Sequence, residues 1–177
     1  MTHHITHILF DEYTLANTVE RLGTQISRDY QGQELLVICI LKGASVFMAD
    51  LIRKIDLPIQ IDFMAVSSYG HSTQSSGVVK INKDLDTDIE NRHILIVEDI
   101  IDSGLTLKYL SENLQSRRPK SLKICTLLDK PERRKTHLSI DYTGFEIPDV
   151  FIVGYGIDYA EHYRNLPYIG VISPNAL

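Results

Sequence analysis

The sequence has 177 residues, of which 44% are hydrophobic and 23% charged, and its formal net charge is −5. This length suits a single domain over residues 1–177, with at most a small appended flap. The acidic balance argues against a nucleic-acid partner, because a phosphate backbone requires a basic protein face. We expect neither a membrane span nor a secretory signal, since the longest apolar stretch is 35–41 and residues 1–10 lack a basic region followed by an apolar one.

The cysteines and the N-terminal histidines are candidate reactive or metal-binding groups. Cys39 and Cys125 each lie inside an apolar, β-rich run and lack CxxC spacing. They are predicted to be buried free thiols, which fits a reducing cytoplasm. His3, His4 and His7 could form a metal site, but we expect a frayed and solvated N-terminus instead.

Strand-like and helical patterns alternate along most of the chain. The predicted elements are a helix over 13–30, a strand over 35–41, a helix over 45–55, strands over 59–67, 78–81 and 94–97, a helix over 105–114 and a strand over 123–128. This alternation predicts an α/β fold with a mostly parallel, doubly wound sheet flanked by helices.

Two segments depart from the alternation. Residues 69–78 read YGHSTQSSGV, a composition typical of a mobile loop, for which a surface hairpin tip is the simplest interpretation. Residues 142–172 are rich in aromatic side chains and contain short strand-like runs at 151–153 and 169–172. They are predicted to add edge strands or a small hood beside the main sheet, and the hood is expected to be formed from the N-terminal and C-terminal segments.

One stretch, 94–106, combines a buried strand with acidic and hydroxyl side chains. Four apolar residues are followed by Glu98 and Asp99, and then by Asp102, Ser103, Gly104 and Thr106. Ligands of open α/β sheets bind at the carboxyl ends of the strands, and a small hydroxylated turn before a helix can hold an anion.

Carboxylates repel phosphate, so this combination needs a ligand that also has hydroxyl groups or carries a divalent cation. A ribose phosphate with a pyrophosphate leaving group supplies both. The alternative is structural: Asp102 and Ser103 could simply cap the following helix.

The sequence ILIVEDIIDSGLT at 94–106 resembles the signature with which type I phosphoribosyltransferases bind 5-phosphoribosyl 1-diphosphate (PRPP), and it matches at every position. Further stretches resemble the hypoxanthine-guanine branch of that family over nearly the whole chain. They are 41–44, 67–70, 128–130 and 145–159, the last continuing to Arg164.

The resemblance implies a role for each matching residue. Glu98, Asp99, Asp102, Ser103, Gly104, Leu105 and Thr106 would bind PRPP, with Asp102 as the catalytic base; Lys42, Gly43, Ser68, Tyr69 and Arg164 would bind pyrophosphate. It also implies a cis peptide between Leu41 and Lys42 and a loop over about 67–78 that closes over the site. The family forms dimers or tetramers, so a homodimer or homotetramer is expected.

The purine site implied by the resemblance consists of Lys130, Phe151, Ile152 and Asp158. Lys130 would donate to the purine O6, which selects hypoxanthine and guanine over adenine, because an exocyclic amine cannot accept from lysine. Without the family, each has a simpler interpretation: a solvated lysine, a core phenylalanine, and an ion pair between Asp158 and Arg164. The implied cofactor is Mg²⁺, with Glu98, Asp99 and Asp158 as metal-binding residues.

Two other functions fit part of the pattern. A regulatory RNA-binding protein can share this sheet and signature, but it needs an exposed basic face that an acidic chain does not favour. A phosphoacceptor signalling domain also combines an acidic pair, a hydroxyl residue and a lysine. Its acceptor aspartate would end a different strand, whereas Asp102 follows Asp99 by three residues.

Overall fold

The computed structural model describes residues 5–68 and 79–173. In chain order the elements are β1 (Ile5–Phe10), α1 (Glu12–Asp29), β2 (Leu35–Leu41), α2 (Ser45–Ile52), β3 (Ile59–Ser68), β4 (Val79–Lys83), β5 (His93–Ile101), α3 (Leu105–Gln115), β6 (Ser121–Asp129), a 3₁₀ turn (Pro131–Arg133), β7 (Tyr142–Glu146), β8 (Ile152–Val153) and β9 (Ile169–Ile172). Within those ranges no helix is both long and apolar enough to cross a bilayer.

The main sheet has six strands in the order β4-β3-β2-β5-β6-β7. Its strands pair in parallel except for β3 and β4, which are antiparallel. This confirms the predicted α/β fold with a mostly parallel sheet. The carboxyl ends of β2, β5 and β6 therefore lie side by side at one edge.

Both faces of the sheet are buried, which explains the continuous apolar sequence of β2. Val37 and Cys39 pack on one face with α1 and α2. Leu36 and Ile38 pack on the opposite face with α3. Helices thus cover both faces, as expected for a doubly wound sheet.

A second, three-stranded antiparallel sheet has the order β1-β9-β8 and forms the hood. β1 contributes apolar side chains, and the ring of Phe10 stacks on Phe145 of β7 with centroids 3.9 Å apart. The expectation of a frayed N-terminus is therefore wrong for residues 5–10, including His7, because β1 pairs with β9 along its length. His3 and His4 lie outside the described residues.

Two predicted boundaries change where tertiary contacts override the local pattern. α2 ends at Ile52 instead of residue 55, since the amide of Lys54 turns back to the carbonyl of Leu51 and the amide of Asp56 donates to Ser27 Oγ. β5 continues to Ile101 because it stays paired with β6, so the acidic pair lies within the strand.

Cys39 and Cys125 are buried and unpaired, as predicted. Burial is the main reason that the pKa of Cys39 rises to about 12, and the nearby charges of Glu98 and Asp99 add to it. The thiol of Cys39 therefore remains protonated at neutral pH.

Candidate active site

The turn between β5 and α3 lies at the carboxyl edge of the main sheet. Its last residue, Gly104, has a φ of 78° and precedes Leu105 without any side-chain cap on the helix. A Cβ atom at Gly104 would lie 2.9 Å from Cδ of Arg134, so a side chain is excluded there by both conformation and space. Gly104 provides no side-chain cap, so the amides of the first turn, apart from that of Leu105, which donates to Ser103 Oγ at 3.4 Å, can bind an anion.

A cavity of about 300 Å³ opens at this turn. The predicted site residues that line it are Glu98, Asp102, Ser103, Gly104 and Thr106. One turn thus presents carboxylates, hydroxyls and a helix N-terminus to the same space, as the sequence predicted. The capping alternative accounts only for Ser103, whose Oγ accepts from the Leu105 amide at 3.4 Å, while the N-cap residue itself is Gly104.

Of the acidic pair, Asp99 is buried and Glu98 is half-buried at the cavity. Burial, together with the charge of Asp99 and a hydrogen bond to it, raises the pKa of Glu98 well above its usual value. Burial also raises the pKa of Asp99, whose Oδ1 accepts from the amide of Ile100 at 2.9 Å. Two adjacent acids in partly buried surroundings are costly to ionise together, and a cation or a hydroxyl donor would lower that cost.

The loop after β2 meets the acidic pair. The peptide bond between Leu41 and Lys42 is cis, as the family resemblance implied. A Cβ atom on Gly43 would lie 1.8 Å from Oδ2 of Asp99, so only glycine lets the carboxylate lie against the backbone here. Gly156, with a φ of 100°, also approaches this loop closely, since its Cβ would lie 2.2 Å from the carbonyl oxygen of Gly43.

Four charged side chains form a network beside this loop. Arg164 Nη2 lies 2.8 Å from Asp158 Oδ1, and its Nη1 donates to the carbonyl of Gly156 at 2.8 Å. Glu161 joins the network, with Oε2 at 3.1 Å from Lys42 Nζ and 3.5 Å from Arg164 Nη2. The hydrogen bond from Lys42 is the main cause of the lowered pKa of Glu161. The structure thus brings Lys42, Asp158 and Arg164 together.

Glu161 was not predicted from the sequence. It lies close in the chain to Asp158 and Arg164, but its contact with Lys42 joins residues 119 positions apart. The motif around 154–164 marks this segment as important without indicating which of its acids would pair with the lysine of another loop.

Of the predicted purine residues, Lys130 directly follows β6 and Phe151 and Ile152 lie at the start of β8, whereas Asp158 lies with Arg164 in the charged network. Lys130 is only 6% exposed. Its Nζ donates to the carbonyl of Val150 at 2.7 Å and lies 3.4 Å from Asp149 Oδ1. Phe151 is 55% exposed, whereas Ile152 is buried. An exposed aromatic ring near a buried lysine can stack on a flat heterocycle while the lysine donates a hydrogen bond to its edge.

Asp102 is paired with a residue that the sequence analysis did not select. Arg133 Nε lies 2.7 Å from Asp102 Oδ1, and Arg133 Nη1 lies 3.1 Å from Asp149 Oδ1. Arg133 belongs to a stretch with several basic residues, in which any one is solvated by default. No sequence signal distinguishes it from Arg134, which pairs with Asp129.

Within residues 5–68 and 79–173, no three carboxylate, imidazole or thiol groups lie close enough together to hold a metal ion. The oxygen donors of Glu98, Asp99 and Asp158 are of the type that Mg²⁺ prefers. Mg²⁺ commonly takes one or two carboxylates and completes its coordination with substrate oxygens and water. The residues present fit such a shared site and do not fit a site built from protein ligands alone.

Part of the predicted site lies outside the described residues. Tyr69 and the rest of 69–78 belong to the proposed lid, and the side chain of Ser68 is likewise not described. A second cavity, of about 420 Å³, lies between α1, α2 and the segment 155–167, and Arg164 is the only predicted site residue among those that line it.

Comparison with known families identifies this arrangement. The family model described as "Phosphoribosyl transferase domain" matches residues 8–160. The chain belongs to the phosphoribosyltransferase family. It is 58% identical over 174 residues to the hypoxanthine-guanine phosphoribosyltransferase of Bacillus subtilis (strain 168), with 98% of this chain and 97% of that protein covered. It is 53% identical over 176 residues to the protein of the same name from Mycobacterium avium, covering 96% of this chain and 87% of that one.

Solved structures of the phosphoribosyltransferase family agree with the fold. A hypoxanthine phosphoribosyltransferase from Staphylococcus aureus superimposes with a TM-score of 0.95 at 51% identity, covering 98% of this chain and 94% of that one. The fold places three segments at one edge of the main sheet: the loop after β2, the turn after β5 and the segment after β6.

Proposed function

We propose that this phosphoribosyltransferase transfers the 5-phosphoribosyl group from PRPP to N9 of hypoxanthine or guanine, giving IMP or GMP and pyrophosphate. One observation carries the proposal: the acidic and hydroxylated turn after β5 faces a cavity, and a buried lysine with an exposed phenylalanine lies next to that turn. The main-chain bond from the Lys130 amide to the Ile101 carbonyl, 3.0 Å long, joins the two halves of the site.

The phosphate end of PRPP fits the turn itself. The amides at the start of α3 and the hydroxyls of Ser103 and Thr106 offer donors to a 5-phosphate. Glu98 and Asp99 would accept hydrogen bonds from the ribose hydroxyls or bind metal-held water. Lys42 and Arg164, with their neighbouring glycines, would hold the pyrophosphate; to do so they must exchange their contacts with Glu161 and Asp158 for contacts with substrate.

The purine would bind beside this turn, at a purine wall formed by Lys130, Phe151 and Ile152. Lys130 would donate to O6 while Phe151 covers one face of the ring and the main chain of Ile152 contacts its edge. A 6-amino purine presents a donor to a donor, which leaves one N–H of the buried ammonium without an acceptor, so adenine should be rejected.

In the reaction, the bond between C1 of the ribose and the pyrophosphate oxygen breaks, and a bond between C1 and purine N9 forms. The purine loses a proton, which Asp102 would accept at N7; general-base catalysis of this kind contributes about 10²–10⁴-fold. Mg²⁺, held by carboxylates of the acidic pair or Asp158 together with substrate oxygens, would lower the charge on the departing pyrophosphate.

Three further features belong to the proposal. The loop over about 67–78, with Ser68 and Tyr69, would close over the substrates and exclude water, which would otherwise hydrolyse PRPP. Residues 1–177 would act as one domain, and the enzyme would work in the cytoplasm as a homodimer or homotetramer. Only small-molecule substrates are proposed as ligands, since the acidic chain does not suit RNA.

The direct test is a spectrophotometric assay of the purified protein with PRPP and Mg²⁺, run separately with hypoxanthine, guanine, xanthine and adenine. Turnover of hypoxanthine or guanine with release of pyrophosphate is expected, and adenine should give none. Retention of RNA on a filter without any turnover of an oxopurine would favour a regulatory RNA-binding protein instead.

A further inference from the structure

Arg133 lies between two acidic residues that belong to different parts of the site. Its Nε is 2.7 Å from Asp102 Oδ1, and its Nη1 is 3.1 Å from Asp149 Oδ1 and 3.4 Å from Asp149 Oδ2. Asp149 also lies 3.4 Å from Lys130 Nζ. The residues Asp102, Arg133, Asp149 and Lys130 therefore form a chain of alternating charges that runs from the proposed base to the proposed purine-reading lysine.

Main-chain hydrogen bonds hold the turn that carries Arg133 close to Asp102. The amide of Lys130 donates to the carbonyl of Ile101 at 3.0 Å, and the amide of Lys135 donates to the carbonyl of Ser103 at 2.9 Å. The segment that carries Arg133 is thus attached to the strand end on both sides of Asp102. Arg133 is the last residue of the short 3₁₀ turn Pro131–Arg133, so its guanidinium contacts Asp102 from a backbone that is held in place.

The planar guanidinium of Arg133 hydrogen-bonds both oxygens of Asp149 and holds Asp102 by charge, since Asp102 Oδ1, although 2.7 Å from Nε, receives no hydrogen bond within the described residues. The hydrogen bond to Asp149 and the charge of Asp102 both raise the pKa of Arg133, so it remains charged while Asp102 gains and loses a proton. Asp102 is 46% exposed, and within residues 5–68 and 79–173 Arg133 is the only cation in ion-pair distance of its carboxylate, so Arg133 favours one orientation among those that solvent allows.

We propose that Arg133 is a positioning residue for catalysis. It orients the carboxylate of Asp102 toward the bound purine and, through Asp149, links that orientation to the position of Lys130. The inference rests on the proposed function, because it assigns Arg133 a task only if Asp102 accepts the purine proton. Ion pairs as exposed as these add little to stability, so variants of Arg133 should fold normally and differ in turnover.

The test is a double-mutant cycle. Arg133→Met should lower kcat with hypoxanthine by about tenfold, since small misplacements of a catalytic group are costly, while KM for PRPP changes by less than about twofold. Arg133→Lys should recover part of the loss because it restores a charge without the fork. In the Asp102→Asn background, Arg133→Met should change kcat by less than about twofold, because there is no base left to aim.

Arg28→Met serves as the matched control, since Arg28 is exposed at the end of α1. It should leave kcat, KM and the thermal transition unchanged, and each Arg133 variant should keep the wild-type thermal transition.

Equal losses in the wild-type and Asp102→Asn backgrounds, or a loss confined to KM for PRPP, would overturn the positioning role alone. A wild-type protein without turnover would overturn the proposed function and this role with it.

Discussion

Lys130 is the side chain in the site whose surroundings constrain it most. It is 6% exposed, and its ammonium donates to the carbonyl of Val150 at 2.7 Å. A buried lysine with a main-chain acceptor and one acidic neighbour has few ways to satisfy its three protons. A purine O6 would supply a further acceptor at a position where the protein offers few.

Lys130→Ala should therefore raise KM for hypoxanthine by about 10–100-fold, the range expected for losing a hydrogen bond from a charged group, and leave PRPP affinity nearly unchanged. Initial-rate kinetics with each substrate varied in turn will measure both constants. Lys120→Ala is the control, because Lys120 is exposed and distant at the start of β6. A parallel loss of affinity for both substrates would contradict the O6 assignment.

Glu98 gives a prediction for stability without any ligand. Its pKa is raised in the folded protein by burial and by Asp99, so the folded state holds a proton that the unfolded state releases at the ordinary value. Stability from this group is present at low pH and is lost as pH rises through the folded pKa. Glu98→Gln cannot ionise and should escape that loss.

Thermal denaturation should thus show little difference between Glu98→Gln and wild type near about pH 4, and a more stable variant near about pH 8. The exposed Glu146→Gln serves as the matched control and should follow the wild type at both values. A variant that is less stable than wild type at the higher pH would mean that Glu98 is ionised and well solvated in the folded chain.

The elements of the main sheet were predicted where burial on both faces leaves a continuous apolar run, as in β2 and the first half of β5. β1 was missed because His7 and Thr6 interrupt its apolar residues, so the run satisfies neither a helical nor an alternating pattern. Its strand conformation comes from pairing with β9, at the other end of the chain. Such pairing depends on tertiary structure and has no local signal in the sequence.

The hood links β1 to the purine wall, because β1 pairs with β9 and β9 pairs with β8, which directly follows Phe151. Phe10→Ala removes the stacked contact with Phe145 and should destabilise the protein by about 2 kcal/mol, from lost aromatic burial. It should also raise KM for hypoxanthine more than KM for PRPP. Denaturant unfolding and initial rates will measure these effects, with the exposed Tyr13→Ala as the control. A larger change in KM for PRPP would place the hood outside the purine site.

At the scale of the whole molecule, the strand order explains why residues from separate family motifs lie together in the candidate site. β2, β5 and β6 are neighbours, so the loops that follow them meet at one edge regardless of their distance in sequence. The residues on those loops that carry family motifs were therefore predictable. Arg133 and Glu161 were not, because their roles depend on distances between side chains of different loops, and identical residue types nearby make other pairs.

The same convergence predicts that substrate binding stabilises the entire domain. In the proposed binding mode PRPP would contact loops from several strands, and a ligand at about 100 times its Kd adds about 2.7 kcal/mol to the folded state. For a chain of this length that corresponds to a rise in Tm of about 5–10 °C. The rise should require Mg²⁺, because the acidic pair repels an unscreened pyrophosphate. Excess EDTA should therefore remove most of it and abolish turnover.

Thr106→Val tests whether the turn after β5 is the point of attachment, since it removes one hydroxyl donor and keeps the side-chain shape. It should reduce the PRPP-induced rise in Tm, whereas Thr24→Val, on the exposed surface of α1, should not.

If EDTA left both the stabilisation and the turnover intact, the carboxylates of this turn would have to bind the ribose directly. In that case magnesium would have no part in holding the leaving group.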